Sequence, residues 1–316
     1  MTPDLSIVAS VYNGGRHLRT SVASVLGQTG LSFELVVIDD GSTNDSGRVL
    51  DEVARSDPRV RVFHQENQGL TRALARGGGE ARGRFIARHD PDDLSLPGRF
   101  ARQLELLASD PTLSMVSCWS RAIGPDGEKL FETVRPPDAL TATVALRDRG
   151  DGPPGHGTVM FRADAYRSVG GYRPSFRVAQ DWDLWLRLVE RGRIAYVPDF
   201  LYAYRVEEQS ISSRRREQQL RLLDLARRCA AAREQGQSEE PWLAEAARVS
   251  AEPVLLSARA PLGNSYFIGK CLFDRRDRRA LKYLRRCVRL APWNVRHWAA
   301  LAGASLLCRA AAIDAE

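Results

Sequence analysis

The chain opens as a series of short apolar runs separated by segments of helical spacing. Leu5-Ser6-Ile7-Val8-Ala9-Ser10-Val11 is rich in apolar and β-branched residues and stops at Tyr12-Asn13-Gly14-Gly15, which predicts a buried strand ended by a turn. From His17 to Gln28 the apolar positions Leu18, Val22, Val25 and Leu26 follow a helical spacing. Phe33 to Ile38 predicts a second strand, closed by Asp39-Asp40-Gly41-Ser42, and Val49, Leu50 and Val53 lie on a second helix. Val60-Arg61-Val62-Phe63 predicts a third strand, Leu70 to Ala75 opens a third helix, and Arg84 to Ala87 forms a fourth strand. Such alternation over short connections predicts an α/β fold with a mostly parallel sheet covered on both faces. Ligands of such sheets bind beyond the carboxyl ends of the strands, so Tyr12, Asp39-Asp40 and the segment Asp90 to Asp93 are placed to converge on one crevice.

From Met115 the pattern is less regular. Met115 to Trp119 and Gly157 to Phe161 read as strands, and Trp182 to Arg191 as a helix with Leu184, Trp185, Leu188 and Val189 on one face. Arg193 to Val197 predicts an edge strand halted by Pro198. Beyond Glu207 strand signals nearly vanish and the chain turns Ala-, Leu- and Arg-rich. A boundary is expected near 205–215, dividing an α/β domain, 1–208, from a basic helical region, 209–316. Within that region Ala280 to Asn294, then Trp298 and Leu301, resemble one tetratricopeptide-type unit: helix, Pro-bearing turn, helix. One unit cannot bury its apolar face alone, and the helix through Tyr266 to Lys270 is a candidate neighbour.

Charge sharpens this division. The net charge of +7 splits into −1 for residues 1–204 and +8 for residues 205–316. Arg275, Arg276, Arg278, Arg279, Lys282, Arg285, Arg286 and Arg289 make the last helices strongly basic. Such a face is either simply solvated or suited to an anionic membrane surface, where a lipid-linked acceptor would lie. No nucleic-acid-binding motif accompanies it, which sets nucleic acid last among partners. Five scattered cysteines (Cys118, Cys229, Cys271, Cys287, Cys308) without a CxxC pair argue against a disulfide framework or zinc site and for a reducing cytoplasm. Met1-Thr2-Pro3-Asp4 leads straight into the first strand, unlike a secretory leader. The longest apolar stretch, Trp298 to Cys308, falls short of the roughly 18 to 20 residues a membrane span needs. The expected location is the cytoplasm, with a peripheral hold on the inner face of the plasma membrane.

The strongest chemical signal is Asp90-Pro91-Asp92-Asp93. Like charges this close repel unless a cation sits among them. Mg²⁺ and Mn²⁺ take carboxylate oxygen and are commonly held by one or two carboxylates plus substrate phosphates. The alternative is structural: Asp92 or Asp93 caps a helix starting near Leu96-Pro97.

Ser6-Ile7-Val8 through Tyr12-Asn13, Leu35 to Ser42, Asn67-Gln68-Gly69-Leu70 and Asp90 to Asp93 stand in the order and spacing of a family 2 glycosyltransferase, which the chain resembles. The resemblance continues through Gly155 to Arg162 and Gln180 to Arg187, over roughly the first two hundred residues. It implies a GT-A fold, a nucleotide-diphosphate sugar donor (UDP-linked), a divalent Mn²⁺ or Mg²⁺, and transfer with inversion to a saccharide or lipid-linked acceptor in surface polysaccharide synthesis. Ser10 and Tyr12 would contact the nucleobase, and Asp40, with Asp39 beside it, the uracil or ribose. A plain turn is the other reading of Asp39-Asp40-Gly41-Ser42. Arg72 would approach the donor phosphates or else lie on a solvated helix face, and Asn67 and Gly69 would shape that loop. Asp92 would coordinate the metal. Asp90 would hold donor hydroxyls or a metal-bound water, and Asp93 would assist or cap the next helix. Asp181 takes the place of the general base, which an inverting transfer needs to accept the acceptor's proton; the structural reading makes it a helix cap. The family often has Glu where this chain has Gln180, and Asp183 would face out or support the helix. His156, between two glycines, is placed beside the acceptor, near Trp182, where it would meet a phosphate or the metal or only fill a loop. A nucleotidyltransferase lacks support because Tyr12 to Arg16 is too short for its Gly-rich loop, and a dehydrogenase because no GxGxxG follows the first strand. A non-catalytic nucleotide-sugar-binding scaffold remains the alternative from another class.

Overall fold

The computed structural model describes residues 2–207, 215–253 and 260–313, so the expected boundary at 208/209 lies outside the described residues. β1 (Leu5–Val11) and β2 (Phe33–Asp39) are buried at every position, polar Ser6, Ser10, Glu34 and Asp39 included, as mostly apolar strands covered on both faces are. Between and after them come α1 (Leu18–Leu26), α2 (Ser46–Ser56), β3 (Val60–His64), α3 (Leu70–Glu80) and β4 (Phe85–Arg88). These strands pair in parallel in the order β3-β2-β1-β4. Their alternate side chains feed two cores. Ile7, Val11, Leu35 and Val37 pack with Leu18, Val22 and Val25 of α1 and Leu50 of α2, while Val8, Val36 and Ile38 pack with Ala73 and Leu74 of α3.

β5 (Leu94–Ser95), α4 (Arg99–Ser109), β6 (Leu113–Ile123), β7 (Lys129–Thr133) and α5 (Ala139–Val144) follow. Next are β8 (Met160–Arg162), α6 (Ala163–Ser168), α7 (Gln180–Leu188) and β9 (Arg193–Arg205). The sheet continues from β4 through β8, β6, β9 and β5, with β7 beside β6. Here β8 runs antiparallel to β4 and β6, and β5 antiparallel to β9. β9 follows β6 in the same direction, with the Arg193 N–H bonded to the Thr112 carbonyl at one end and the Val206 N–H to the Ile123 carbonyl at the other, so the sheet is mixed beyond β4.

Two local expectations are corrected. Pro198 does not halt β9, which continues to Arg205, although over Arg193–Val197 the strand keeps one open flank as an edge strand does. β5 pairs only with Tyr202 and Ala203, so the stretch around Pro198 needs no ladder N–H on that flank. His156–Thr158 forms a 3₁₀ turn rather than a strand, and β8 begins only at Met160.

The helices α8 (Arg216–Glu234) and α9 (Glu240–Ala251) share an apolar cluster with Phe176, Ala179 and Leu186, so they pack around the loop that leads into α7. Compact units are formed by residues 1–120, 133–204 and 217–253, and by 121–132, 205–216 and 254–316. The chain therefore crosses between units more than once. Within the second unit, α10 (Ala260–Asp274), α11 (Ala280–Leu290) and α12 (Val295–Ile313) are helices, with a Pro292-bearing turn between the last two. A side chain at Gly269 would meet Leu284, which shows how closely α10 and α11 approach. The Tyr283 hydroxyl donates to buried Glu128 Oε1 at 2.8 Å.

Candidate active site

The loops leaving β1 and β2 are tied together. Asn13 adopts a left-handed backbone (φ 54°), which Asn tolerates better than most residues. Its side-chain oxygen accepts from the Thr43 N–H at 2.9 Å, while its own N–H donates to Ser42 Oγ at 3.0 Å. Tyr12 is left half exposed at the strand end, and Ser10 is buried. Gly41 also has a positive φ (76°), and a Cβ there would lie 2.7 Å from the Asn67 nitrogen, so only glycine fits.

Asp39 and Asp40 are both buried and internally bonded. Asp40 Oδ1 accepts from Gln65 Nε2 (2.7 Å) and the Gln68 N–H (2.9 Å), and Oδ2 accepts from the Gly69 N–H (2.8 Å). Asp39 accepts from the Ser42 N–H and pairs with His64 Nδ1 at 2.9 Å. Hydrogen bonds to Asp39 and then to Asp51 hold the His64 pKa above its usual value. The sequence singled out Asp40 as a donor contact; here its oxygens brace the Gln65–Gly69 loop at the start of α3. Arg72, in the first turn of α3, is exposed and makes no hydrogen bond or ion pair with the described residues.

The end of β4 is built differently. Arg88 is wholly buried, donates to the Val8 carbonyl at 2.9 Å, and forms an ion pair with Asp90 Oδ1. Its Nε has no partner. Asp90 is partly exposed, and no described residue donates to its Oδ2. Tyr202, from β9, donates to Asp93 Oδ2 at 2.7 Å and accepts from the Asp90 N–H at 3.2 Å, pinning the turn from both ends. Any side chain at Gly157 would collide with that hydroxyl. Arg99, also wholly buried, has no carboxylate partner among the described residues; it donates to Ser95 Oγ, Gln103 Oε1 and the carbonyls of Arg88 and Gly157, and lies over the Tyr202 ring. Burial, then Arg99 and Arg88, keep His89 well below its usual pKa. Neutral His89 bonds Ser21 and Ser95.

The helix-cap alternative for Asp92 and Asp93 is not realised. The helix after the cluster, α4, begins at Arg99 with Gly98 as its cap, and Leu94–Ser95 is a strand. Asp92 is half-buried in the turn, and Asp93 is buried against Tyr202.

Asp181 lies in the first turn of α7, just after Ala179, a buried non-glycine residue at φ 58°. Such backbone strain concentrates at functional sites. Asp181 is half-buried at its surface, and burial pushes its carboxyl up to about 6, opposed by the Trp182 N–H and its own and supported by the charge of Asp90. The charge of Arg88 acts on Asp181, His156 and Tyr172 alike, and that of Asp90 on Asp181 and Tyr172. His156 Nε2 bonds the Tyr172 hydroxyl at 2.7 Å, and its ring meets those of Tyr172 and Trp185 edge-on. Burial, then Arg88, holds His156 well below its usual pKa. Trp182 tilts against Trp185 and carries the Arg227 guanidinium 5.7 Å from its ring centre. Asp183 does not face out. It is buried between Arg173 and Arg187, and Arg173 extends to Glu239 at 2.8 Å, fastening α7.

Among the described residues no three His, Cys, Asp or Glu side chains gather as a metal cage. The donor set still fits a hard cation shared with a ligand, because Asp90 Oδ2 is an available carboxylate oxygen. A groove of about 450 Å³ between the starts of α1 and α2, near Arg16, Arg19, Asn44 and Asp45, includes none of these carboxylates.

Sequence reasoning missed Arg88, Arg99, Tyr172 and Tyr202. Only Arg88 left a trace, as a cation closing an apolar run directly before the carboxylates.

The model of glycosyl transferase family 2 matches residues 6–170, and the chain belongs to that family. It is 32% identical over 222 residues to EpsE of Bacillus subtilis (strain 168), named a glycosyltransferase, covering 68% of this chain and 76% of EpsE. TuaG of the same organism, named for teichuronic acid biosynthesis, is 29% identical over 213 residues, covering 67% of this chain and 82% of TuaG. Among solved structures, the mannosyltransferase PcManGT of Pyrobaculum calidifontis in complex with GDP-Man and Mn²⁺ matches with a TM-score of 0.58 at 18% identity, over 97% of this chain and 87% of that one. The protein is a glycosyltransferase with the GT-A fold.

Proposed function

We propose that this enzyme transfers a sugar, with inversion, from a nucleotide-diphosphate donor to a hydroxyl of a growing surface polysaccharide or lipid-linked saccharide. One observation carries the reading: the turn after β4 leaves Asp90 Oδ2 without a donor among the described residues, and the charge of Asp90 acts on Asp181, whose carboxyl burial pushes up to about 6. Asp181 accepts the acceptor hydroxyl's proton as that oxygen bonds to the anomeric carbon. The bond from that carbon to the diphosphate breaks, and the nucleoside diphosphate leaves with its electron pair. A base with a pKa just below operating pH suits this task. Asp92 and Asp90 would hold Mn²⁺ or Mg²⁺, which would neutralise charge on the leaving diphosphate. Arg72, exposed and without a partner among the described residues, is available to the donor phosphates, and Tyr12 offers a ring and hydroxyl to the base. Trp182 forms the acceptor wall beside Asp181. His156 reads best as a support of that wall, since its Nε2 is engaged by Tyr172.

A uridine donor follows from the resemblance of the strand-end motifs; TuaG's name supports a surface polymer and PcManGT's complex a divalent ion. No described helix is long and apolar enough to cross a membrane, so contact with anionic lipid would be peripheral, through the basic α11. A thermal-shift screen of UDP- and GDP-sugars with and without Mn²⁺ tests the donor assignment. A bound donor raises the melting temperature by mass action, and a rise with UDP-sugars that needs the metal is expected. A rise with GDP-sugars alone overturns the uridine assignment, and no rise with any nucleotide sugar overturns the reading.

A further inference from the structure

α12 presents an apolar face that its own unit leaves uncovered. Val295, Trp298, Ala299, Ala302 and Leu306 are all exposed, and their spacing sets them along one side of the helix. Val295 is 78% exposed, Trp298 51% and Leu306 67%. Trp293, in the turn leading into α12, is 80% exposed, and Leu290 closing α11 is 52% exposed. The other side holds buried His297 and Ala304, and a side chain at Gly303 would meet the Phe273 ring of α10. Single exposed apolar residues are ordinary, but a contiguous stripe with two tryptophans marks an interaction surface.

The charge around the stripe names its partner. Between Arg275 and Trp298 the sequence holds nine Lys/Arg and one carboxylate, Asp277, which is already paired with Arg279. Arg285, Arg289 and Arg296 are exposed, and their side chains have no partner among the described residues. A second copy docking symmetrically would bring the same cations onto the same face, which like-charge repulsion opposes. An anionic bilayer offers both what the cations and what the stripe require. Trp298 is prepared for such a medium: its Nε1 donates to the Pro292 carbonyl at 2.8 Å, so the ring can leave water with its polar atom satisfied.

We propose that the turn at Trp293 and the exposed stripe of α12 insert into the headgroup boundary of an anionic membrane, with Arg285, Arg289 and Arg296 on the lipid phosphates. This rests on the peripheral-membrane reading and adds to it an apolar anchor, so binding is not electrostatic alone. The test uses the full chain and vesicles of phosphatidylcholine with or without phosphatidylglycerol, including brominated lipid, at salt near 0.1 M and 0.5 M, where screening differs sharply. Expected are binding to the anionic vesicles that persists in part at high salt, and quenching of tryptophan emission by the brominated chains. Combined Trp293→Ser and Trp298→Ser should weaken binding at least tenfold without altering the melting temperature or nucleotide-sugar binding. Arg285→Glu with Arg289→Glu should weaken it mainly at low salt. Binding unchanged in the tryptophan variant, abolished by salt and without quenching, overturns the anchor and leaves the basic-face reading standing. Absence of vesicle binding overturns both. Oligomers that Trp298→Ser dissolves would assign the stripe to a second copy and overturn the anchor. Nucleotide-sugar binding, measured alongside, reports on the glycosyl-transfer reading separately.

Discussion

Two acidic clusters close two strands of the same sheet, Asp39-Asp40 after β2 and Asp90 to Asp93 after β4, and the protein bonds them in contrasting ways. The first is absorbed by the protein: Asp40 spends both oxygens on Gln65, Gln68 and Gly69, and Asp39 on Ser42 and His64. The second rests on a buried cation, Arg88, that holds one oxygen of Asp90 and leaves the other. A carboxylate at a strand end can therefore shape a loop or meet a ligand, and its partners, not its position, decide which.

The largest break in this contrast is Asp90→Asn. It leaves Arg88 buried without a counter-charge, so stability should fall by about 3 kcal/mol and the melting temperature by about 6 to 12 °C, and nucleotide sugar with Mn²⁺ should no longer restore it. Asp40→Ala should cost about 2 kcal/mol, because two backbone N–H groups lose their acceptor; added donor should still raise its melting temperature, which separates brace from ligand site. The raised carboxyl of Asp181 gives a pH signature. Its folded value of about 6 lies above the ordinary unfolded value of about 3.9, so the native state holds the proton more tightly. Its contribution is thus lost as pH rises from about 4 through 6, by about 1 to 2 kcal/mol, and urea midpoints of Asp181→Asn should lack that slope. The smallest effect is Tyr202→Phe, about 1 kcal/mol from Asp93 losing its donor. Mn²⁺ affinity, read by titration with donor present, should drop about tenfold, as when an outer partner of a metal ligand is lost.

The parallel half of the sheet was readable because burial on both faces demands runs that are mostly apolar, such as Leu5–Val11 and Phe33–Ile38, with the few polar members (Ser6, Ser10, Glu34) buried among them. β9 was cut short on paper at Pro198, since the weak flank that tolerates it depends on β5, roughly a hundred residues earlier. The acidic clusters and Asp181 stood out as motifs, but their partners did not. Tyr202 reaches Asp90 across 112 positions, and nothing in its neighbourhood marks it. Asp181 and Asp183 look alike in sequence. Only Arg173 and Arg187, folded around Asp183, show which of the two is structural.

The central claim, that Asp181 accepts the proton while Asp90 and Asp92 serve the donor, is tested most directly by turnover and donor binding of Asp181→Asn in one preparation. Donor affinity within twofold of the unaltered enzyme, with transfer slowed about a thousandfold, is the predicted result. Near-normal transfer with intact binding would contradict it.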